Sequence, residues 1–95
     1  MDLTVVDVPE RSRYEVSADG EVVGFSAYHL IDEGVYALPH VEVDPAFEGR
    51  GVASALMRES LDDIRERGLK VVPICPFARA YIGKNRGYAD LVHEG

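Results

Sequence analysis

The sequence predicts an α/β domain of the α+β kind, in which a run of short antiparallel strands is followed by a helix, a strand and a second helix. Three observations predict it. Up to Asp44 the apolar residues tend to alternate with polar ones, and Asp19-Gly20, Asp32-Glu33-Gly34 and Asp44-Pro45 punctuate them as turns. From Gly51 the apolar spacing lengthens to that of a helix. Beyond Gly68 the β-branched residues return in Lys70 to Ile74, just before Pro76. With 95 residues, 46 % of them apolar and 28 % charged, and a mean hydropathy of -0.10, the chain suits one soluble domain over residues 1–95. A chain of this size buries roughly 65 % of its unfolded surface, so its large aliphatic residues are committed to a core.

Leu3 to Val8 is Val-rich and stops at Pro9, which suits an edge strand. Arg13 to Ala18, the hairpin signal Asp19-Gly20, and Glu21 to His29 form the next two strands. Val35 to Val43 continues the antiparallel meander. Ala53, Leu56, Met57, Ser60 and Ile64 fall on one helical face, widened by Leu61. Asp63 with Arg67, and Arg58 with Asp62, are spaced to support that helix, and Gly68 stops it. Pro76 opens a second helix running to about Asn85, since a missing N–H costs nothing in the first turn. Tyr88 to Val92 either closes the sheet or packs as an irregular tail.

The net charge is -7, which argues against nucleic-acid binding, because such binding displaces phosphate counterions with a basic surface. The charge is divided unevenly: residues 1–49 hold 11 acids against Arg11 and Arg13, a net of -9, whereas residues 50–86 hold eight bases against four acids, a net of +4. No apolar run reaches membrane-spanning length, and Met1-Asp2-Leu3-Thr4 is unlike a secretory signal, so the expectation is a cytoplasmic protein without membrane contact. One cysteine, Cys75, and three scattered histidines form neither a disulfide nor a metal-ligand spacing, so no metal is expected.

The informative segment is Val41 to Leu56, where a strand ends in a tight loop and Gly49 and Gly51 lead into a helix. The first N–H groups of a helix lack internal partners and carry the positive end of its dipole, which suits a phosphate or pyrophosphate. A dinucleotide fingerprint needs a third glycine where Ser54 stands, and a P-loop needs a Gly-Lys-Ser/Thr ending that is absent. On spacing alone, the two glycines equally suit a plain strand-to-helix turn.

Glu48-Gly49-Arg50-Gly51-Val52-Ala53, behind a Val-x-Val-x-Pro strand and ahead of an amphipathic helix, resembles the acyl-CoA signature of the GNAT superfamily of N-acetyltransferases. Arg13-Tyr14-Glu15, Asp19-Gly20, His40-Val41-Glu42-Val43, Val72-Pro73-Ile74-Cys75-Pro76-Phe77, Tyr81-Ile82 and Tyr88 to Val92 extend the likeness to a subfamily of very small, single-domain members. Two positions depart from the pattern: Glu48 stands where Gln or Arg is usual, and Asn85-Arg86 where the subfamily has His-Pro. The resemblance implies a mixed, mostly antiparallel central sheet with splayed central strands and two helices. It further implies acetyl-CoA as co-substrate, with the pantetheine arm between the splayed strands and the pyrophosphate on residues 49–54. Pro73 cannot donate to a ladder, which independently favours an opening beside its strand.

The cofactor-binding set on this basis is Val41, Val43, Gly49, Arg50, Gly51, Val52, Ala53, Ser54, Tyr81 and Lys84, with Arg79 and Arg86 as further positive charge on the same side. Tyr81 is also a candidate acid for a departing thiolate, against a plain role in core packing. His40 and Glu42 share one strand face, and either can take a proton from an attacking amine. His29 and His93 lack such context and read as structural or exposed. Cys75 precedes a helix N-terminus, a setting that favours a thiolate. It reads as a pocket-lining residue, as an acetyl carrier assisted by His40, or as a buried structural thiol.

Two functions survive these readings. One is an enzyme that moves an acetyl group from acetyl-CoA to an amine, either a small amine or a protein lysine or N-terminus. The other is a non-catalytic acyl-CoA-binding module used for sensing or protein contact. The acidic first half favours a cationic acceptor, and self-association to a homo-oligomer stays open.

Overall fold

The computed structural model describes residues 1–94. In chain order it contains β1 (Leu3–Val8), β2 (Arg13–Ala18), β3 (Glu21–Ala27), β4 (His29–Asp32), β5 (Val35–Leu38), β6 (Val41–Val43), α1 (Val52–Glu66), β7 (Lys70–Pro73) and α2 (Pro76–Lys84). Single 3-10 turns lie at Pro9–Arg11 and Pro45–Phe47, and a longer one at Arg86–Leu91. The strands form an antiparallel sheet in the order β1-β2-β3-β6 and a second sheet in the order β4-β5-β7, in which β5 and β7 run parallel. The sheet is therefore mixed and mostly antiparallel, as expected.

Asp19 and Gly20 both have positive φ, 49° and 89°, the twist that joins β2 to β3 in a two-residue hairpin. The strand expected from Glu21 to His29 is broken at Tyr28. Its N–H donates to the Ser12 carbonyl at 3.0 Å, and its ring stacks on Tyr36 at 4.5 Å. The strand expected from Val35 to Val43 is likewise broken at Pro39 and His40. One long hairpin is thereby divided, with β4 and β5 paired in one sheet and β3 and β6 in the other.

Helix α1 lies across β1, β2, β3 and β6. Val16, Leu56, Met57, Leu61, Ile64, Val71 and Ala78 are all 0 % exposed and form the centre of the core. The buried stripe runs from Val52 and Ala55 through Leu56, Met57, Ser60, Leu61 and Ile64, and Ala53 at its margin is only half-buried. Ser60 is buried in this stripe and donates its hydroxyl to the Leu56 carbonyl at 2.7 Å. Gly68, at φ 71°, ends the helix in a Schellman arrangement, with its N–H on the Arg65 carbonyl and the Leu69 N–H on that of Ile64.

The Asp63–Arg67 pair forms at 3.0 Å. Arg58 instead reaches Glu59 at 3.5 Å, and Asp62 accepts the Tyr88 hydroxyl at 2.6 Å. The expected strand Lys70 to Ile74 stops at Pro73, after which the Ile74 and Cys75 N–H groups both donate to the Leu38 carbonyl. Tyr88 to Val92 is mainly the last 3-10 turn and touches the sheet through one bridge, Val71 to Val92.

Candidate functional site

The site follows from the divided hairpin. Up to Leu38 the chain pairs with β7, whereas β6 leaves β7 and pairs with β3, so an opening lies between Val41–Val43 and the end of β7. The Ala27 N–H donates to the His40 carbonyl, and the Asp44 N–H to that of Val23. Antiparallel alternation then directs the main-chain groups of Val41 and Val43 away from β3, into the opening. Their side chains pack against the core beneath α1.

Asp44 caps the 3-10 turn after β6, its Oδ1 accepting from the Ala46 N–H at 2.9 Å. Gly49 and Gly51 then adopt φ 75° and 77°, which L side chains rarely tolerate. Gly51 is the N-cap of α1 and offers no capping side chain, so the helix begins with its first N–H groups uncapped by any side chain of that residue. A Cβ at either glycine would meet nothing within 4 Å. The glycines thus serve backbone conformation and leave the helix N-terminus open.

A cavity of about 240 Å³ sits there, lined by Val43, Phe47, Glu48, Gly49, Gly51, Val52, Ala53, Ser54 and Phe77. A second, of about 370 Å³, is lined by Ser54, Phe77, Ala80, Tyr81, Lys84 and Asn85. Shared walls at Ser54 and Phe77 make them one groove from the loop along α2. Most of the sequence-derived cofactor set thus lines this groove. Arg50 does not: its guanidinium lies 5.8 Å above the Phe47 ring. Val41 borders the opening instead, and Arg79 and Arg86 line neither cavity. Tyr81 stands between Phe77 at 6.3 Å and Tyr88 at 6.1 Å, with one side toward the groove. Phe77, which walls both cavities, was missed as a site residue because an aromatic in the first turn of an amphipathic helix reads as core.

On the other face of the sheet, His40 Nε2 lies 3.2 Å from Glu42 Oε1, with 57 % and 65 % of their side chains exposed. The His40 ring also meets Phe25 at 5.8 Å between centroids. Cys75 is the N-cap of α2, as expected, and is 7 % exposed within the core cluster. Among the described residues no hydrogen bond joins it to His40. His29 is exposed, while the His93 N–H ties the tail to Val71 at 2.8 Å. Among the described residues no cluster of His, Cys, Asp or Glu could hold a metal ion, and no helix is long and apolar enough to cross a membrane.

A mixed sheet that parts beside a glycine-lined, uncapped helix N-terminus defines the N-acetyltransferase class of fold. The solution structure of a GCN5-like protein from Staphylococcus aureus shares it, with a TM-score of 0.73 over 96 % of this chain and 88 % of that one, at 21 % identity. A GNAT family acetyltransferase from Brucella melitensis, crystallised in complex with acetyl-CoA, superposes with a TM-score of 0.60 at 28 % identity, over 73 % of this chain and 50 % of that one. The model of the GCN5-related N-acetyl-transferase family matches residues 13–91, and the chain belongs to that family. Protein NATD1 of Gallus gallus is 33 % identical over 58 residues, 61 % of this chain and 53 % of that protein. The chain spans about half the length of the NATD1 relatives it matches.

Proposed function

We propose that this chain is an acetyl-CoA-dependent N-acetyltransferase that moves an acetyl group to a cationic amine, carried by a small molecule or by a protein lysine or N-terminus. The observation that carries the reading is the groove at the open N-terminus of α1, continuous with α2 and adjoining the parted strands, in a chain of this family. The main chain of Val41 and Val43 suits the amides of a pantetheine arm. The N–H groups after Gly49 and Gly51, with the helix dipole, suit its pyrophosphate, and Phe77, Tyr81 and Lys84 suit the remainder.

Once the ammonium has given up a proton, its nitrogen attacks the thioester carbonyl, the C–S bond breaks, and CoA leaves as the thiolate, taking up the second proton that the nitrogen sheds as the amide forms. His40, oriented by Glu42, takes the proton the amine loses, directly or through water. Exposure favours direct transfer, because His40 and Glu42 face solvent whereas Cys75 is packed in the core. In this reading Cys75 lines the inner end of the opening and carries no acetyl group.

CoA release in the presence of amines tests the reading, together with calorimetric CoA binding to the wild type and to Gly51→Asp. Transfer to an amine, with at least tenfold weaker CoA binding in the variant, is expected from a like charge set against the pyrophosphate. Binding without transfer to any amine would instead establish the acyl-CoA-binding module. Intact-mass analysis after acetyl-CoA alone should show no adduct on Cys75.

A further inference from the structure

The face of the sheet turned away from α1 carries a buried charge that the transfer chemistry does not use. Glu15 is only 8 % exposed in its side chain, on a face no helix covers. Arg13 holds its Oε2 through both Nε and Nη2 at 2.8 Å, and Arg11 approaches the same oxygen at 3.1 Å. Chiefly the hydrogen bond from Arg13 keeps this carboxyl below the usual range, against the opposing effect of burial. A carboxylate so placed is an anchor, because losing Arg13 would leave the buried charge to the exposed Arg11 alone.

Strand register shows what the anchor holds. Glu15 pairs with Phe25 and Phe25 with Glu42, making one transverse row across β2, β3 and β6. In the next row Arg13 pairs with Ala27, whose N–H donates to the His40 carbonyl. The single methyl of Ala27 lets Arg13 and His40 lean over Phe25 from opposite sides. The Arg13 guanidinium lies 4.4 Å above the Phe25 ring, and the His40 ring meets it at 5.8 Å with a 55° tilt. His40 and Glu42 are both exposed, and a surface pair of that kind is too weak by itself to order two side chains. The order has to come from Phe25, which Arg13 and Glu15 hold in turn.

We infer that Glu15, Arg13 and Phe25 form a buttress that positions the His40 ring against Glu42, an inference that rests on the transfer reading above. None of the three touches the reacting atoms. They are positioning residues, and their effect on transfer passes through His40.

The experiment compares the ring-proton NMR resonances of His40 in the intact chain with those of variants, alongside transfer kinetics. The Phe25 ring current displaces these resonances in the wild type. The displacement should vanish in Phe25→Leu, shrink by about half in Glu15→Gln and Arg13→Ala, and persist in Phe25→Tyr. kcat should fall about tenfold in Phe25→Leu and about threefold in Glu15→Gln, with the KM for acetyl-CoA within about twofold and most of the rate restored in Phe25→Tyr. Should Glu15→Gln fail to fold, Arg13→Ala tests the same link. His40 resonances that coincide in wild type, Phe25→Leu and Arg13→Ala would overturn the buttress, as would failure of Phe25→Tyr to restore the rate lost in Phe25→Leu. Full transfer by His40→Ala would overturn the role given to His40 in the transfer reading, while the ring resonances would still decide the buttress.

Discussion

The two faces of the four-stranded sheet are made by the same residues of β2, β3 and β6 taken alternately, yet they are held together by different physics. Beneath α1, Tyr14, Val16 and Ser26 are at most 2 % exposed and meet Leu56, Met57, Leu61 and Ile64 at 0 %. Dispersion and apolar burial dominate there, and Tyr14 also joins sheet to helix by donating to Asp63 at 2.6 Å. On the opposite face, Glu15, Phe25, His40 and Glu42 are linked by an ion pair, a cation over a ring, a tilted ring contact and one exposed pair. A period of two thus places stability on one face and, in the proposed function, the chemistry on the other, so substitutions one residue apart should fail in different ways.

The largest expected effect tests that division. Leu56→Ala removes a fully buried side chain from the covered face and should cost about 2–5 kcal/mol in urea unfolding. His40→Ala, on the open face at 57 % exposure, should stay within about 0.5 kcal/mol of wild type while losing most transfer. Equal stability losses in the two would break the comparison.

Gly24→Ala is the intermediate case, because its Cβ would sit on the covered face yet press on the backbone of β6, the strand that carries Glu42. A Cβ there would come within 2.7 Å of the Glu42 carbonyl oxygen and 3.1 Å of both Val16 Cγ1 and Val43 Cγ2. The first obstacle is backbone and cannot swing away, so β6 must move off β3. The expected cost is about 1–3 kcal/mol in the same unfolding assay, with a loss of transfer that Leu56→Ala, assayed while folded, does not share. A stable Gly24→Ala protein with full activity would show that the β3–β6 spacing does not set the site.

Much of this was legible in the sequence wherever a local rule governs. The Asp19-Gly20 hairpin, the α1 period, the Gly68 stop and Pro76 at the start of α2 each follow from the conformational preference of a few residues. The glycine loop was legible for the same reason, since both glycines take the positive φ that the turn into α1 requires. The break at Tyr28 was not, because β-favouring residues continue through it and only a change of partner, from β2 to β5 at His29, ends the strand; Pro39 was a visible stop, but which sheet each half joins is a long-range choice. The row Glu15, Phe25 and Glu42 was hidden because it depends on register across three strands, including a shift between Val16 and Ser17. The placement of Arg50 was not legible either: its guanidinium lies over Phe47, a wall of the groove, because the contact depends on how the turn at Pro45–Phe47 folds back on the loop.

The smallest expected effect concerns pH and sharpens the contrast from the outer side of α1. The Tyr88 hydroxyl donates to Asp62 at 2.6 Å and ties the last 3-10 turn to the helix. Burial first, then this hydrogen bond, pushes its pKa up from 10.0 to about 12. The folded chain therefore holds the Tyr88 proton more tightly than the unfolded chain does. The stabilisation is complete below pH 10 and is lost as pH rises through about 12. Tyr14 and Tyr28, also buried and bonded to carboxylates, are raised further still, so each keeps its proton in the folded chain while the unfolded chain loses it, and each adds its own share to the decline. The open-face row of Glu15, Phe25 and Glu42 contains no tyrosine and adds nothing to the alkaline loss. Tyr88→Phe should cost about 0.5–1 kcal/mol at neutral pH and flatten the decline in unfolding free energy between pH 10 and 12. Tyr14→Phe should cost more at neutral pH and should lessen that decline at least as much, because its proton is held still more tightly in the folded chain. A Tyr88→Phe protein that loses stability as steeply as wild type over this range would leave the alkaline weakness to Tyr14 and Tyr28 alone.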